Sequence, residues 1–405
     1  MAYNCNIQHG EIGKGTNNMN QALEVVEERE RSGVILSILR WSIAFFFIAT
    51  PFNPYVNEMT LYLWIPLVFL DIQFIAKLKR VNLSICICLF AWLSLCVLFG
   101  RIDLAVKSFV LILGVSYLVK MDRAILDKVY ACMLISAGWC ILQFIVYQFG
   151  QNYSAMIGPK AISTFIWGQY ATKTFTNQYE VFFLPRMSGL SREAGFFVSL
   201  LVISFMIRIR DHKLNKFEYL IFGLSYLFSL SKASFFLVIF CILYPIRKFM
   251  AKVPVIFSIV LFIVLCVAVT QYLNVGSPSY FYEYVSIAHR LSAPYLMLDM
   301  EIPNFIYGCN SDYSCFNSYQ PIIDFLNGFG LKPNVGLAGV VLDLGIVGLI
   351  LIVFFFVFLG LDSYDAAILV CFTSTVTFFT IDSFVILTYY YVISNRGRFS
   401  SMRNR

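Results

Sequence analysis

The sequence predicts an all-α polytopic membrane protein with about twelve transmembrane helices and two large external loops, and three observations carry that prediction. Only 13% of the 405 residues are charged, where a soluble domain carries roughly 25%, and the mean hydropathy is +0.76. Apolar runs of spanning length recur along the whole chain. Lipid offers no partner to a backbone N–H or C=O, so each such run of about 20 residues is a candidate helix. Basic residues, finally, collect in every second connection between the runs.

Taken in order, residues 1–33 are polar, include EVVEERERSG, and read as a cytoplasmic tail. No small-residue cleavage site stands before the first apolar run, so that run is expected to remain as an anchor. Spans are predicted near 34–52, 58–76, 82–100, 103–119, 125–149, 194–208, 217–230, 233–246, 253–273, 336–360, 365–381 and 383–394. Residues 395–405 form a second cytoplasmic tail, so the transmembrane domain covers 34–394.

The connections give the orientation. One set carries Lys77, Lys79 and Arg80; Lys120, Arg123 and Lys128; Arg208, Arg210, Lys213 and Lys216; Arg247, Lys248 and Lys252; then Arg396, Arg398, Arg403 and Arg405. Cytoplasmic loops accumulate Lys and Arg, so these face inward together with both termini. The opposite set includes PFNPYVNE, GRID, the short break SLSKAS and two long segments, 150–192 and 275–335. Connections of that length are uncommon unless functional or disordered. Both are rich in Tyr, Phe, Asn and Pro, and are expected to fold over the membrane domain.

A net charge of +7 does not predict nucleic-acid binding, because the cations are dispersed between apolar runs instead of gathered on one face. Most of the eleven cysteines, such as Cys86, Cys88, Cys132 and Cys266, lie inside apolar runs as small hydrophobes. Cys309 and Cys315 share one polar loop and can bridge if that loop meets an oxidising compartment.

The chemistry concentrates on the external side. RMSGLSREAGFF, Arg186 to Phe197, sets Arg186, Arg192 and Glu193 at the outer edge of the sixth span, with Gly189 allowing a tight turn. Charges at span ends also snorkel, and interfacial anchoring is the plainer reading of any one of them. A glutamate in a helix's first turn, however, is a positioned carboxylate that can serve as a base. SLSKASFF adds Lys232, and SIAHRLSAPYLM adds His289 and Arg290 on a short amphipathic helix. LKPNVGLAG places Lys332 and Asn334 before the tenth span.

Arg186, Arg192, Lys232, Arg290 and Lys332 with one well-placed acid suit a diphosphate, since guanidinium forks match phosphate oxygens and offset the charge of a departing pyrophosphate. No Cys/His spacing for zinc is present, Asp299 and Glu301 are the one close acidic pair on the external side, and G-x-S-x-G is missing. No metal or cofactor is predicted.

At these residues the chain resembles the Wzy-type O-antigen polymerases and the wider family they share with O-antigen ligases. The likeness rests on Arg186, Gly189 and Glu193 as R-x-x-G-x-x-x-E, and on Ser231, Lys232 and Ser234 as S-[KR]-x-S. It extends to Asn334, Leu337, Gly345, Ile346, Gly348 and Leu349 as N-x(2)-L…G-I-x-G-L. The resemblance implies a GT-C-type, inverting, metal-independent glycosyltransferase of lipopolysaccharide biosynthesis in the bacterial inner membrane, with 150–192 and 275–335 as periplasmic loops. Its substrates would be undecaprenyl-diphosphate-linked oligosaccharides, the growing glycan being transferred onto a new lipid-linked repeat unit, with a chain-length regulator as a partner. Glu193 or His289 would be the base, and Arg186, Arg192, Lys232, Arg290 and Lys332 the diphosphate ligands.

LKPN departs from the ligases, which commonly carry a histidine before that asparagine where this chain has Pro333. A ligase, or a lipid-linked oligosaccharide flippase, are the alternative readings. A flippase would place ionisable groups or broken helices at mid-membrane, where Lys107 is the candidate.

Overall fold

The computed structural model describes residues 33–56, 59–78, 83–98, 100–121, 123–171, 180–181, 184–210, 215–229, 244–272, 285–298, 300–309, 313, 315–316, 320–329, 331–358, 362–364 and 366–367. It is mostly helical. In chain order the elements are α1 (Gly33–Ile48), the hairpin β1 (Tyr55–Val56) and β2 (Met59–Thr60), α2 (Trp64–Leu70), α3 (Ile72–Leu78), α4 (Leu83–Leu98), α5 (Ile102–Met121) and α6 (Arg123–Phe149). Then come α7 (Gln151–Met156), α8 (Pro159–Trp167), the hairpin β3 (Glu180–Val181) and β4 (Leu184–Pro185), α9 (Ala194–Arg210) and α10 (Lys216–Phe228). α11 (Val255–Tyr272), α12 (Val285–Met297), α13 (Ile302–Tyr307), α14 (Gln320–Gly328) and α15 (Gly336–Phe358) complete the described helices cited below.

Among the described residues, two stretches, Ala124–Phe149 and Gly336–Phe354, are single helices long and apolar enough to cross a membrane, and the bent pair Tyr244–Met250 with Val255–Val269 passes as a third. α11 exposes Ile256, Phe257, Val260, Leu261, Val264 and Leu265, each about half or more accessible. An apolar helix so uncovered needs a hydrocarbon surround, since water would not tolerate a patch of that extent. The architecture is that of an all-α membrane protein. The predicted spans 233–246, 365–381 and 383–394 lie wholly or mainly outside the described residues.

Two predicted spans differ in detail, each for a local reason. The second, expected over 58–76, begins only at Trp64 and breaks at Asp71. Asp71 is fully buried, accepts from Arg40 Nε at 2.8 Å and from the Tyr117 hydroxyl at 3.0 Å, and takes the backbone N–H groups of Gln73 and Phe74. It therefore caps α3 with the same carboxylate that neutralises Arg40. The tenth is kinked at Gly345, whose φ of +67° leaves the helical region. A Cβ there would sit 2.1 Å from the Ile306 carbonyl oxygen, so the kink is the seat of α13.

The helix ends sort into two groups. The Lys77 ammonium donates to the Lys120 carbonyl at 2.9 Å and Lys120 returns the bond at 3.1 Å; Arg208 lies 3.9 Å over Tyr130, and Lys128 5.7 Å over Trp41. The basic connections thus adjoin at one end. At the other, the C-terminal part of α6 and the ends of α9 and α10 meet around RMSGLSREAGFF, and Trp167 Nε1 donates to the Phe52 carbonyl at 3.0 Å. Within 275–335, Cys309 and Cys315 form the disulfide, and SIAHRLSAPYLM lies in helix α12 as expected.

Candidate functional site

The turn inside RMSGLSREAGFF can be built only on glycine. Gly189 has φ +55°, and a Cβ there would lie 2.7 Å from both the Ser136 carbonyl oxygen and Phe197 Cε2. Side chains from α6 then pin it. Gln143 Nε2 donates to the Gly189 carbonyl at 3.1 Å while its Oε1 accepts the Gly189 N–H at 3.0 Å, and Ser136 Oγ accepts the Leu190 N–H at 2.9 Å. From α10's end, the Phe228 carbonyl accepts the Met187 N–H at 2.8 Å and Ser229 Oγ donates to the Met187 carbonyl at 2.5 Å.

Ser136 and Gln143 stand two turns apart on one face of α6 and act as a template for the turn. Trp139, also on α6, donates through Nε1 to the Ile157 carbonyl at 3.0 Å, and Ser154 Oγ donates to the Gln143 carbonyl at 3.0 Å, so α7 is tied to the same helix. Sequence reasoning passed over these residues. Their signal was available as polar side chains at helical spacing inside an apolar run, but their partners lie 46 and 54 positions away.

Arg186 and Glu193 flank the pinned turn. Glu193 directly precedes α9, and its carbonyl accepts the Phe197 N–H at 3.0 Å, opening the helix. Arg290, from α12, is brought within electrostatic reach of both. Burial, and then the Arg290 charge, disfavour the charged form of Arg186, while Glu193 opposes them. Arg290 is likewise pulled down by burial and held up by Glu193. Two half-buried guanidiniums sharing one carboxylate leave net positive charge in a region of low dielectric, which an anion would neutralise.

Buried polar atoms without a hydrogen-bond partner among the described residues include several in the same two segments: Arg186 Nε, Ser191 Oγ, His289 Nδ1 and Ser292 Oγ. Such atoms are costly to leave unsatisfied and call for an explanation, a ligand being one. Ser191 is 1% and Ser292 0% exposed.

His289 contacts the Lys332 backbone through its imidazole, so Lys332 meets α12 by its main chain while its side chain is exposed. Burial and the adjacent Arg290 push the His289 pKa down to about 4 from 6.5, the Lys332 contact opposing them. The ring is neutral at pH 7. Because the unfolded chain binds more protons than the folded one between pH 4 and 6.5, this residue lowers stability as pH falls through that window and contributes nothing above it. The full effect is roughly 3 kcal/mol. Thermal unfolding in detergent at pH 7.5 and at pH 5 is expected to show a smaller acid loss for His289→Gln than for the wild type; equal losses would remove this account.

The other sequence candidates are placed differently. Arg192, two residues before α9, stacks 4.5 Å over Phe196 of that helix, and Lys232 lies outside the described residues. Beside the Arg186 cluster opens a cavity of about 550 Å3, lined by Gln143, Ser154, Lys160, Thr164, Phe165 and Arg186 among others. Its size is that of a small-ligand site. Lys160 and Thr164 were not singled out from sequence, where nothing distinguishes one lysine of a long polar segment. The chain matches no protein-family model, and no curated protein or solved structure is significantly similar to it.

Proposed function

We propose that the chain is a membrane glycosyltransferase acting on polyprenyl-diphosphate-linked oligosaccharides, a surface-polysaccharide (O-antigen) polymerase. The observation that carries this is that Arg186 and Arg290, contributed by segments about a hundred residues apart, both lie within electrostatic reach of Glu193. Net positive, half-buried and furnished with a carboxylate and a neutral imidazole, the cluster suits a reaction that expels a diphosphate and consumes a hydroxyl proton.

In that reaction the non-reducing hydroxyl oxygen of a new lipid-linked repeat unit attacks the anomeric carbon of the growing glycan. The bond from that carbon to the diphosphate oxygen breaks, and its electron pair leaves with undecaprenyl diphosphate. Glu193 or His289 receives the hydroxyl proton. Arg186 and Arg290 neutralise the charge gathering on the leaving group, a preorganised role that does not require a metal ion. Attack from the face opposite the leaving group inverts the anomeric centre. Lys232, Arg192 and Lys332 complete the proposed diphosphate ligands, and segments 150–192 and 275–335 are the periplasmic loops in this reading.

Incubating the purified full-length protein with a synthetic polyprenyl-diphosphate oligosaccharide and a chelator is expected to give products longer by whole repeat units. Substrate returned unextended, with or without added metal, would dismiss the polymerase.

A transporter has one observation in its favour, the break of α15 at Gly345 beside the charged Asp343. That charge is already met by Arg101 and Tyr313. It braces the fold, so the break at Gly345 holds no unneutralised Asp343 charge for a substrate.

A further inference from the structure

The 550 Å3 cavity has a wall that the charge cluster does not use. α8 supplies it. Lys160 and Thr164 are four residues apart, hence on one side of the helix, and both line the cavity with Arg186. Lys160 is exposed, whereas Arg186 is half-buried.

α7 and α8 also carry uncovered large apolar side chains: Phe165 is 91%, Met156 70%, Tyr153 60% and Ile166 45% exposed. Phe165 also borders the cavity, so these apolar side chains adjoin the cation-lined hollow. The wall is fixed in place, since Trp167 bonds to Phe52 at one end of α8 and Ile157 to Trp139 just before the other.

We propose that Lys160 and Thr164 are diphosphate ligands, holding the headgroup of a polyprenyl diphosphate against Arg186 while the uncovered apolar side chains of α7 and α8 lie in the outer leaflet. This rests on the glycosyltransferase reading of the same site. An ammonium on a flexible stem and a fork of donors divide the two phosphates between them. The apolar rim keeps the prenyl chain in lipid, so the headgroup can reach the cluster without the tail leaving the bilayer.

The test titrates the full-length protein in detergent with farnesyl diphosphate, farnesol, inorganic pyrophosphate or phosphatidylglycerol micelles, following tryptophan fluorescence. Trp139 and Trp167 flank the cavity wall. Lys160→Gln is expected to weaken farnesyl diphosphate binding about tenfold, the scale of one hydrogen bond to a charged group. Thr164→Val should weaken it about threefold. Lys160→Arg should restore binding, and farnesol should bind the wild type and Lys160→Gln alike. Because Lys160 is exposed, its substitution should leave the unfolding temperature unchanged.

Wild-type affinity in Lys160→Gln, with binding lost in Arg186→Gln, overturns the role of α8 and spares the site. Phosphatidylglycerol competing as well as pyrophosphate overturns it too, by making the wall a general headgroup contact. Failure of the wild type to bind any diphosphate removes this proposal and the site reading together.

Discussion

If the chain is the proposed polymerase, Arg186→Ala, Glu193→Gln and Arg290→Ala are each expected to leave the protein in the membrane at wild-type level and to abolish the polymer ladder, while glycans bearing a single repeat unit persist. The magnitudes follow from the roles. Removing one preorganised donor to a developing anion costs about 100- to 1000-fold in rate, and removing a general base about 100- to 10000-fold. Ladders report successive transfers, so a hundredfold loss per step erases every band beyond the first few.

Glu193→Gln is the most informative of the three because the amide keeps the size and hydrogen-bonding reach of the carboxylate and withdraws only its charge and basicity. It also leaves Arg186 and Arg290 without the carboxylate that both of them feel. If His289 is the base instead, Glu193→Gln should retain some elongation and His289→Gln should retain none. Arg186→Lys should be intermediate, since a lysine keeps the charge and loses the fork. Unaltered ladders in all three variants would end the catalytic assignment. Loss of single-repeat glycans as well would point to a flipping step.

Hydropathy made most of the helices legible because the rule behind it is severe: in hydrocarbon each backbone group must be satisfied within its own helix. The edges of α4, α5, α6, α9, α10 and α11 accordingly fall within a few residues of their predicted spans. What a hydropathy window cannot see is a polar group whose partner comes from another helix. Asp71 lies inside the predicted span 58–76, and with Arg40 and Tyr117 around it, it breaks that span.

The same limit hid half of the candidate site. Arg186, Glu193 and Arg290 were visible as charges with nothing apolar to do, and the structure brings them into electrostatic contact. Gln143 and Ser136 were not, because their role is to hold Gly189 and Leu190 across a long separation in sequence. Lys160 becomes visible only when α8 folds beside Arg186.

The buried trio of Arg101, Tyr313 and Asp343 should give a large loss of stability when one of its two charges is removed and a much smaller one when both charges are removed together. Arg101 is 2%, Tyr313 1% and Asp343 6% exposed. Arg101 forms an ion pair with Asp343, and the Tyr313 hydroxyl donates to the same carboxylate oxygen at 2.7 Å. Burial and the carboxylate push the Tyr313 phenol well above its ordinary range, so it remains a donor. Three remote parts of the chain are thereby locked: the start of α5, the loop closed by Cys309–Cys315, and α15 just before its kink.

Asp343→Leu strands a buried guanidinium and is expected to cost about 3–5 kcal/mol, whereas the double variant Arg101→Met with Asp343→Leu should recover most of that loss. Thermal unfolding in detergent measures both. An equal loss in the double variant would mean that the trio contributes attraction and not only avoided desolvation. The consequence reaches the candidate site, because Ala293, Leu296 and Met297 of α12 share one hydrophobic cluster with Tyr313, Val341 and Leu342. Arg290 is carried on that helix, one turn from Ala293. Loosening the trio should therefore lower diphosphate affinity in Asp343→Leu without touching any proposed ligand, and the stabilised double variant should regain it.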